Sequence, residues 1–378
     1  MPKIWFDAMI YLMIIGLPVC FAFLSDHSRG FLSRALFGLA LFVPCFFAAF
    51  RDTSVGTDVM TYAYWTFYSA KSSSLVSFLT SYAGISALGF NLISWIFGKL
   101  GSFPLYLGVL QFFVIVPFCG YAKKLYPQSS WVAMALYMLL LFPFSLNAMK
   151  QMIAVALCVP SFELVKKQYP LRFCLTILVI AYLFHQTAIV ALIYYPAFIS
   201  IRSIGSNKAF FGKAQGFTVA VLTVSLFLIA FAFGDRIVLA FSGLKESYSY
   251  QVSASGSRLN YTSLVLCAGV IFVYLFEQLG CEDACNQLDD HRIFGLISIV
   301  GTFAIQLNMI ASSLFRFSYY ALAFLPLYAA SLRGINRGRK QALALFLILL
   351  CSAYFVQAFV INGGNQVYPY TSSMLGIS

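Results

Sequence analysis

Charge is what this chain has least of. Of 378 residues, 12 are acidic, 24 are Lys or Arg and three are His. So sparse a set cannot hydrate the surface of an ordinary soluble domain. No polar stretch is long enough to form a separate one. HExxH, GxSxG and a Gly-rich phosphate loop are all missing, which leaves zinc-protease, serine-hydrolase and nucleotide-binding readings without a motif. The acids at Asp7, Asp52, Asp58, Asp235 and Glu246 are too dispersed to argue a metal, and none is expected. The nine Cys fall mostly inside apolar runs and read as small core residues. Cys281 and Cys285, with His291 nearby, do not match a zinc spacing and read as a solvated loop.

What fills the chain instead is apolar. Hydrophobic residues are 61%, with 40 Phe and 23 Tyr, and the mean hydropathy is +0.86. Several runs reach the roughly 17–25 apolar residues that cross a bilayer. The runs are continuous, not alternating, so spanning helices are expected, not a barrel. The expectation is an all-α, polytopic membrane bundle of about 12 spans in a single domain, 1–378. The spans lie near 4–24, 31–50, 103–122, 131–147, 150–166, 171–184, 187–203, 217–234, 260–280, 293–312, 316–333 and 342–361. The first lacks a small-residue cleavage site and reads as uncleaved. Segment 51–102 starts polar and continues with Tyr62, Tyr64, Trp65, Phe67 and Tyr68. It reads as a loop with one or two interfacial helices, or as a re-entrant pair. No internal repeat is evident, which weakens a transporter built on inverted halves.

Orientation follows from Lys and Arg. With the N-terminus outside, 15 of the 24 fall on inner loops and nine on the outer side. The net charge of +12 therefore reports inner loops and anionic lipid, not nucleic acid. The outer cations are the informative ones. Arg51, Lys150, Arg258 and Arg316 sit at span edges, with His185 on the same side, and 235–259 is an outer loop. Such a set suits an anionic lipid headgroup; snorkelling to the interface is the bland reading of each. Asp58, in Gly56-Thr57-Asp58, is either a general base or a turn or cap residue. Asp52 reads as the structural partner of a nearby cation. His185 is either a satisfied polar group, a base or a phosphate donor.

These residues form an ordered series. It runs through Arg51, Val55-Gly56-Thr57-Asp58, Tyr62, Gly89-Phe90-Asn91, Asn147-Ala-Met-Lys150-Gln151, Lys166-Lys167, Phe184-His185, Arg316 with Tyr319-Tyr320, and Tyr368-Pro369-Tyr370. The series resembles the Wzy/EpsG-like family of bacterial polysaccharide polymerases and covers most of the chain. Two departures stand out. Lys150 replaces the usual Arg, and Ala87-Leu88 stand where an acid commonly precedes Gly-Phe.

The resemblance implies a GT-C-like glycosyltransferase of the bacterial inner membrane. It would join undecaprenyl-pyrophosphate-linked repeat units, as in O-antigen and lipopolysaccharide biosynthesis, at the periplasmic face. Its partners would be the lipid-linked donor and acceptor, membrane lipid and a chain-length regulator, with no nucleic acid and no cofactor. The residues fit that chemistry. Arg51, Lys150, Arg258 and Arg316 would stabilise the pyrophosphate leaving group. His185, favoured slightly over Asp58, would take the acceptor's proton. Tyr62, Trp65, Tyr319 and Tyr320 could stack on sugars, with an interfacial aromatic belt as the alternative reading of Tyr62 and Trp65. The competing readings are a lipid-linked glycan flippase or an O-antigen ligase. A carrier should place charges at mid-membrane; here they gather at one face.

Overall fold

A computed structural model describes residues 3–83, 87–205, 259–278, 290–309, 314–333 and 338–377. Every named element among them is helical, apart from an isolated bridge between Ser372 and Ile377. Two compact units divide the chain: 1–192 with 329–378, and 193–328.

The first unit opens with α1 (Lys3–Asp26) and α2 (Gly30–Phe50), which pack on each other. A short helix, α3 (Trp65–Ser72), packs against α4 (Leu88–Leu100). Neither is of spanning length. Then come α5 (Phe103–Leu125), α6 (Ser130–Asn147), α7 (Met149–Lys166) and α8 (Pro170–Leu183). The last long helix, Gly338–Ile361, carries a C-terminal tail.

Five helices are long and apolar enough to cross a membrane: Trp5–Asp26, α2, α5, α6 and Gly338–Ile361. Each coincides with an expected span. The shorter apolar helices include Pro170–Leu183 and Tyr261–Glu277, also near expected spans. α7 is less apolar because Lys150, Glu163 and Lys166 lie on it. The expected span 217–234 lies outside the described residues. Three others are broken where the sequence suggested continuous runs; 187–203 starts as a 3-10 helix, Gln186–Ile193, before Tyr194–Gly205. Asp290–Ala304 gives way to a 3-10 turn at Ile305–Met309, and 316–333 is split into Leu314–Phe317, Ser318–Leu322 and Leu325–Arg333.

α6 is the centre of its unit. Its span is 94% buried against protein, whereas that of α2 is 17% buried and faces outward. The cause is polar chemistry. Backbone and side-chain dipoles in lipid must find internal partners. Gln111 on α5 donates to the Tyr137 hydroxyl at 2.7 Å and accepts from Ser145 at 2.9 Å. Residues Tyr137–Leu141 widen into a π turn just before Pro143. Proline lacks an N–H and crowds the carbonyl four residues back, so a wider turn there relieves the clash. At one end of the unit, Asp26 receives Lys123 at 2.5 Å, the Ser130 hydroxyl at 2.6 Å and the Trp131 N–H at 2.9 Å. It thereby satisfies the start of α6.

In the second unit, Tyr261–Gln278 packs on Asp290–Ala304, and Asp290–Ala304 on Ser318–Leu322. The latter approach requires Gly301, where a Cβ would stand 2.3 Å from the Leu322 nitrogen. Buried Glu277 meets the His291 ring at 2.8 Å and accepts from the Tyr328 hydroxyl at 2.8 Å. His291 is thus a buried helix-to-helix partner and not part of a solvated loop; Cys281 and Cys285 lie outside the described residues.

Candidate functional site

The polar turn after α2 is the foundation. Phe50 ends the apolar run, and Arg51 turns extended at φ −68° and ψ 148°. The C-terminal tail then straps the turn in place. Tyr370 donates to the Phe47 carbonyl at 2.9 Å, and the Ser372 hydroxyl to that of Phe50. The Asp52 N–H donates to the Thr371 carbonyl at 2.9 Å, while its carboxylate accepts from the Ser373 N–H at 2.8 Å. Asp52 is therefore structural, as expected, though it holds a backbone amide where a cation was expected.

Gly56 follows at φ +97°, a conformation that favours glycine. A Cβ there would stand 2.7 Å from the Leu146 carbonyl oxygen. That close approach lets the next two residues reach α6. The Thr57 hydroxyl and the Asp58 N–H each donate to the Asn147 Oδ1 at 2.7 Å. The Asn147 Nδ2 donates in turn to the Asn365 Oδ1 of the tail at 3.1 Å. The Asp58 side chain makes no capping hydrogen bond, so the helix-cap reading has no support.

Arg51 is 6% exposed. Its Nη2 meets the Met149 sulfur at 3.4 Å, while Nε and Nη1 have no hydrogen-bond partner among the described residues. The phenols of Tyr370 and Tyr11 stand near it. Burial pushes the Arg51 guanidinium down to about 10, which still leaves it charged at neutral pH. Burial also pushes the Tyr370 phenol up, against the pull of Arg51, so that phenol is neutral. Among the described residues no carboxylate pairs with Arg51, and a buried cation without one costs roughly several kcal/mol unless an anion joins it.

Lys150 lies in the first turn of α7, one residue after Met149. Its Nζ stands 4.7 Å from the Phe90 ring centre and 5.9 Å from that of Tyr62, and it feels the charge of Asp58. Phe90 is delivered by Gly89, whose missing side chain lets α4 press on the end of α8. A Cβ would meet the Leu183 carbonyl at 2.9 Å and the Phe184 ring at 3.3 Å. His185 is the next residue. Its Nδ1 accepts from the Thr187 N–H at 3.3 Å and lies 2.7 Å from the Thr187 hydroxyl. With Nδ1 an acceptor, the neutral ring carries its proton on Nε2.

One end of the first unit thus gathers Arg51, Asp58, Lys150 and Tyr62. Trp65 is 60% exposed and packs edge-on against Tyr64. Arg316 is part-buried on Leu314–Phe317 in the second unit, where Tyr319 and Tyr320 are fully buried. Arg258 lies outside the described residues. Asn147, Met149, Asn365 and Tyr11 are additions that the sequence reading missed. Asn147 and Met149 carried a signal, since both stand in the quoted Asn-Ala-Met-Lys string; Asn365 and Tyr11 had none. Among the described residues, no three His, Cys, Asp or Glu side chains converge as a metal site would need.

This is a helical membrane protein whose first unit gathers a buried Arg51, Lys150, Asp58 and Tyr62 at one end as a candidate site. The chain belongs to the EpsG family, whose model matches residues 34–372, nearly its whole length. That family includes Wzy-like polymerases of membrane glycans. No curated protein and no solved structure matches the chain.

Proposed function

We infer that the protein is a glycosyltransferase of the bacterial inner membrane, with about twelve spans in a GT-C-like arrangement. It polymerises undecaprenyl-pyrophosphate-linked oligosaccharide repeats at the periplasmic face. The observation that carries this reading is Arg51. A buried guanidinium with two unpartnered nitrogens, close to Lys150 through Met149, suits a pyrophosphate better than it suits a lipid anchor. A pyrophosphate-binding role for Arg258 and Arg316 is proposed from the motif series alone.

In the reaction, an acceptor hydroxyl oxygen bonds to the anomeric carbon of the donor sugar. The bond from that carbon to the pyrophosphate oxygen breaks, and its electron pair leaves with undecaprenyl pyrophosphate. The hydroxyl proton passes to a base. The energy is already stored in the pyrophosphate linkage, so no nucleotide is needed. Cations fixed in advance stabilise the charge that grows on the leaving group. Between the two base candidates, Asp58 is now preferred. The Thr187 N–H on Nδ1 supports His185 as an Nε2–H donor to phosphate, and Asp58, a carboxylate whose charge reaches Lys150, is assigned the base role. Tyr62, 51% exposed beside Lys150, offers a ring to a sugar.

The test is deletion of the gene, then electrophoresis of surface polysaccharide after complementation with wild type or Arg51→Ala. The reading expects a single repeat unit in the deletion and in Arg51→Ala, and a ladder with wild type. Loss of even the single unit would indicate a ligase or flippase instead.

A further inference from the structure

Asn147 is 3% exposed, and its carboxamide serves three other groups. Its orientation is fixed by chemistry. A backbone N–H can only donate, so the atom 2.7 Å from the Asp58 nitrogen must be the oxygen. Both lone pairs of that oxygen are then occupied, by the Asp58 N–H and the Thr57 hydroxyl. The amide nitrogen is left facing Asn365 Oδ1. Gly56 donates its own N–H to the Gln366 carbonyl at 3.1 Å, so the tail and the turn meet twice around this one side chain. Asn147 is also the last residue of α6. One residue on, Ala148 breaks the helix at φ −82° and ψ 52°, and α7 starts with Met149, which touches Arg51, and Lys150.

We propose that Asn147 is a positioning residue: it sets the Asp58 turn against Lys150 by holding the turn, the α6–α7 junction and the C-terminal tail in one hydrogen-bonded knot. The proposal rests on the polymerase reading and deepens it. Arg51 and Lys150 each reach the junction without using the Asn147 amide. Removing that amide should therefore leave donor binding nearly intact and displace the base. Alanine there abandons the Thr57 hydroxyl and the Asp58 N–H together. Loss of the Thr57 hydroxyl alone is milder, because the Asp58 N–H remains bonded.

The experiment uses the full-length protein purified in detergent. The substrate is undecaprenyl-pyrophosphate oligosaccharide extracted from a strain deleted for this gene. Release of undecaprenyl pyrophosphate is followed against substrate concentration. Asn147→Ala should lower kcat by about thirtyfold or more, two or three hydrogen bonds' worth, with KM within about threefold of wild type. Thr57→Val, at an exposed position, should lower kcat about fivefold with KM unchanged. In the double variant the Thr57→Val loss should vanish, because its acceptor is already gone. If Asn147→Ala does not accumulate, Thr57→Val decides alone. Wild-type kcat in Thr57→Val, or a raised KM with unchanged kcat in either variant, would overturn the positioning role. A wild type that releases no undecaprenyl pyrophosphate would overturn the polymerase reading, and this role with it.

Discussion

Substituting Gly56 by alanine probes the site without touching any charge. The new Cβ would stand 2.7 Å from the Leu146 carbonyl oxygen, a backbone atom that cannot rotate away. The residue would also be held at φ +97°, and the left-handed region costs an L-residue about 1–2 kcal/mol. To clear the carbonyl, the turn must back away from α6. That stretches the two 2.7 Å bonds from Thr57 and Asp58 to Asn147, worth about 1 kcal/mol each. The total is about 3–4 kcal/mol, or roughly a hundred- to a thousandfold in rate if it falls on turnover. Gly101→Ala is the control: it shares a positive φ of 76° but has no neighbour within 4 Å, so it isolates the backbone strain. The assay is glycan chain length in complemented cells, normalised to membrane protein level. Gly56→Ala should leave single repeats where Gly101→Ala keeps a ladder. A wild-type ladder from Gly56→Ala would refute the claim that this close approach builds the site.

Other expectations are shorter. Arg51→Ala should cost on the order of 3 kcal/mol in the barrier, roughly a hundredfold, while Arg51→Lys recovers a part; quantified ladders check both. Phe90→Leu should lower turnover about three- to thirtyfold at normal protein level, because Lys150 loses the ring 4.7 Å away. Asp58→Asn should abolish turnover, whereas His185→Gln, which keeps a donor, should retain a measurable fraction in purified protein. In the second unit, Gly301→Ala forces a Cβ to 2.3 Å from the Leu322 nitrogen and should destabilise by about 2 kcal/mol or more, read as a lower Tm in detergent.

The long spans were legible because length and apolarity are local properties. The runs near 4–24, 31–50, 103–122, 131–147 and 342–361 all appear as helices of spanning length. The breaks near residue 304 and within 316–333 were not legible, since an apolar run looks alike whether or not it turns. The cost of Arg51 could be read from sequence, and so could its placement after an apolar run. What surrounds it could not. The Ser372 bond to Phe50 closes across 322 residues, and the Tyr370 bond to Phe47 across 323. Nothing in a short polar tail announces such partners. The tautomer of His185 was equally hidden, because it depends on where the Thr187 N–H points. Asn147 was visible only as the first letter of a string.

The central claim is that this chain forms a glycosidic bond at the expense of a lipid pyrophosphate linkage. Its most direct test is reconstitution of the purified protein in liposomes with extracted undecaprenyl-pyrophosphate oligosaccharide as the sole substrate. The account predicts polymer and free undecaprenyl pyrophosphate in equal measure, one per new linkage, with no nucleotide sugar added. Movement of intact lipid-linked oligosaccharide across the bilayer, with no new linkage and no free undecaprenyl pyrophosphate, would contradict it.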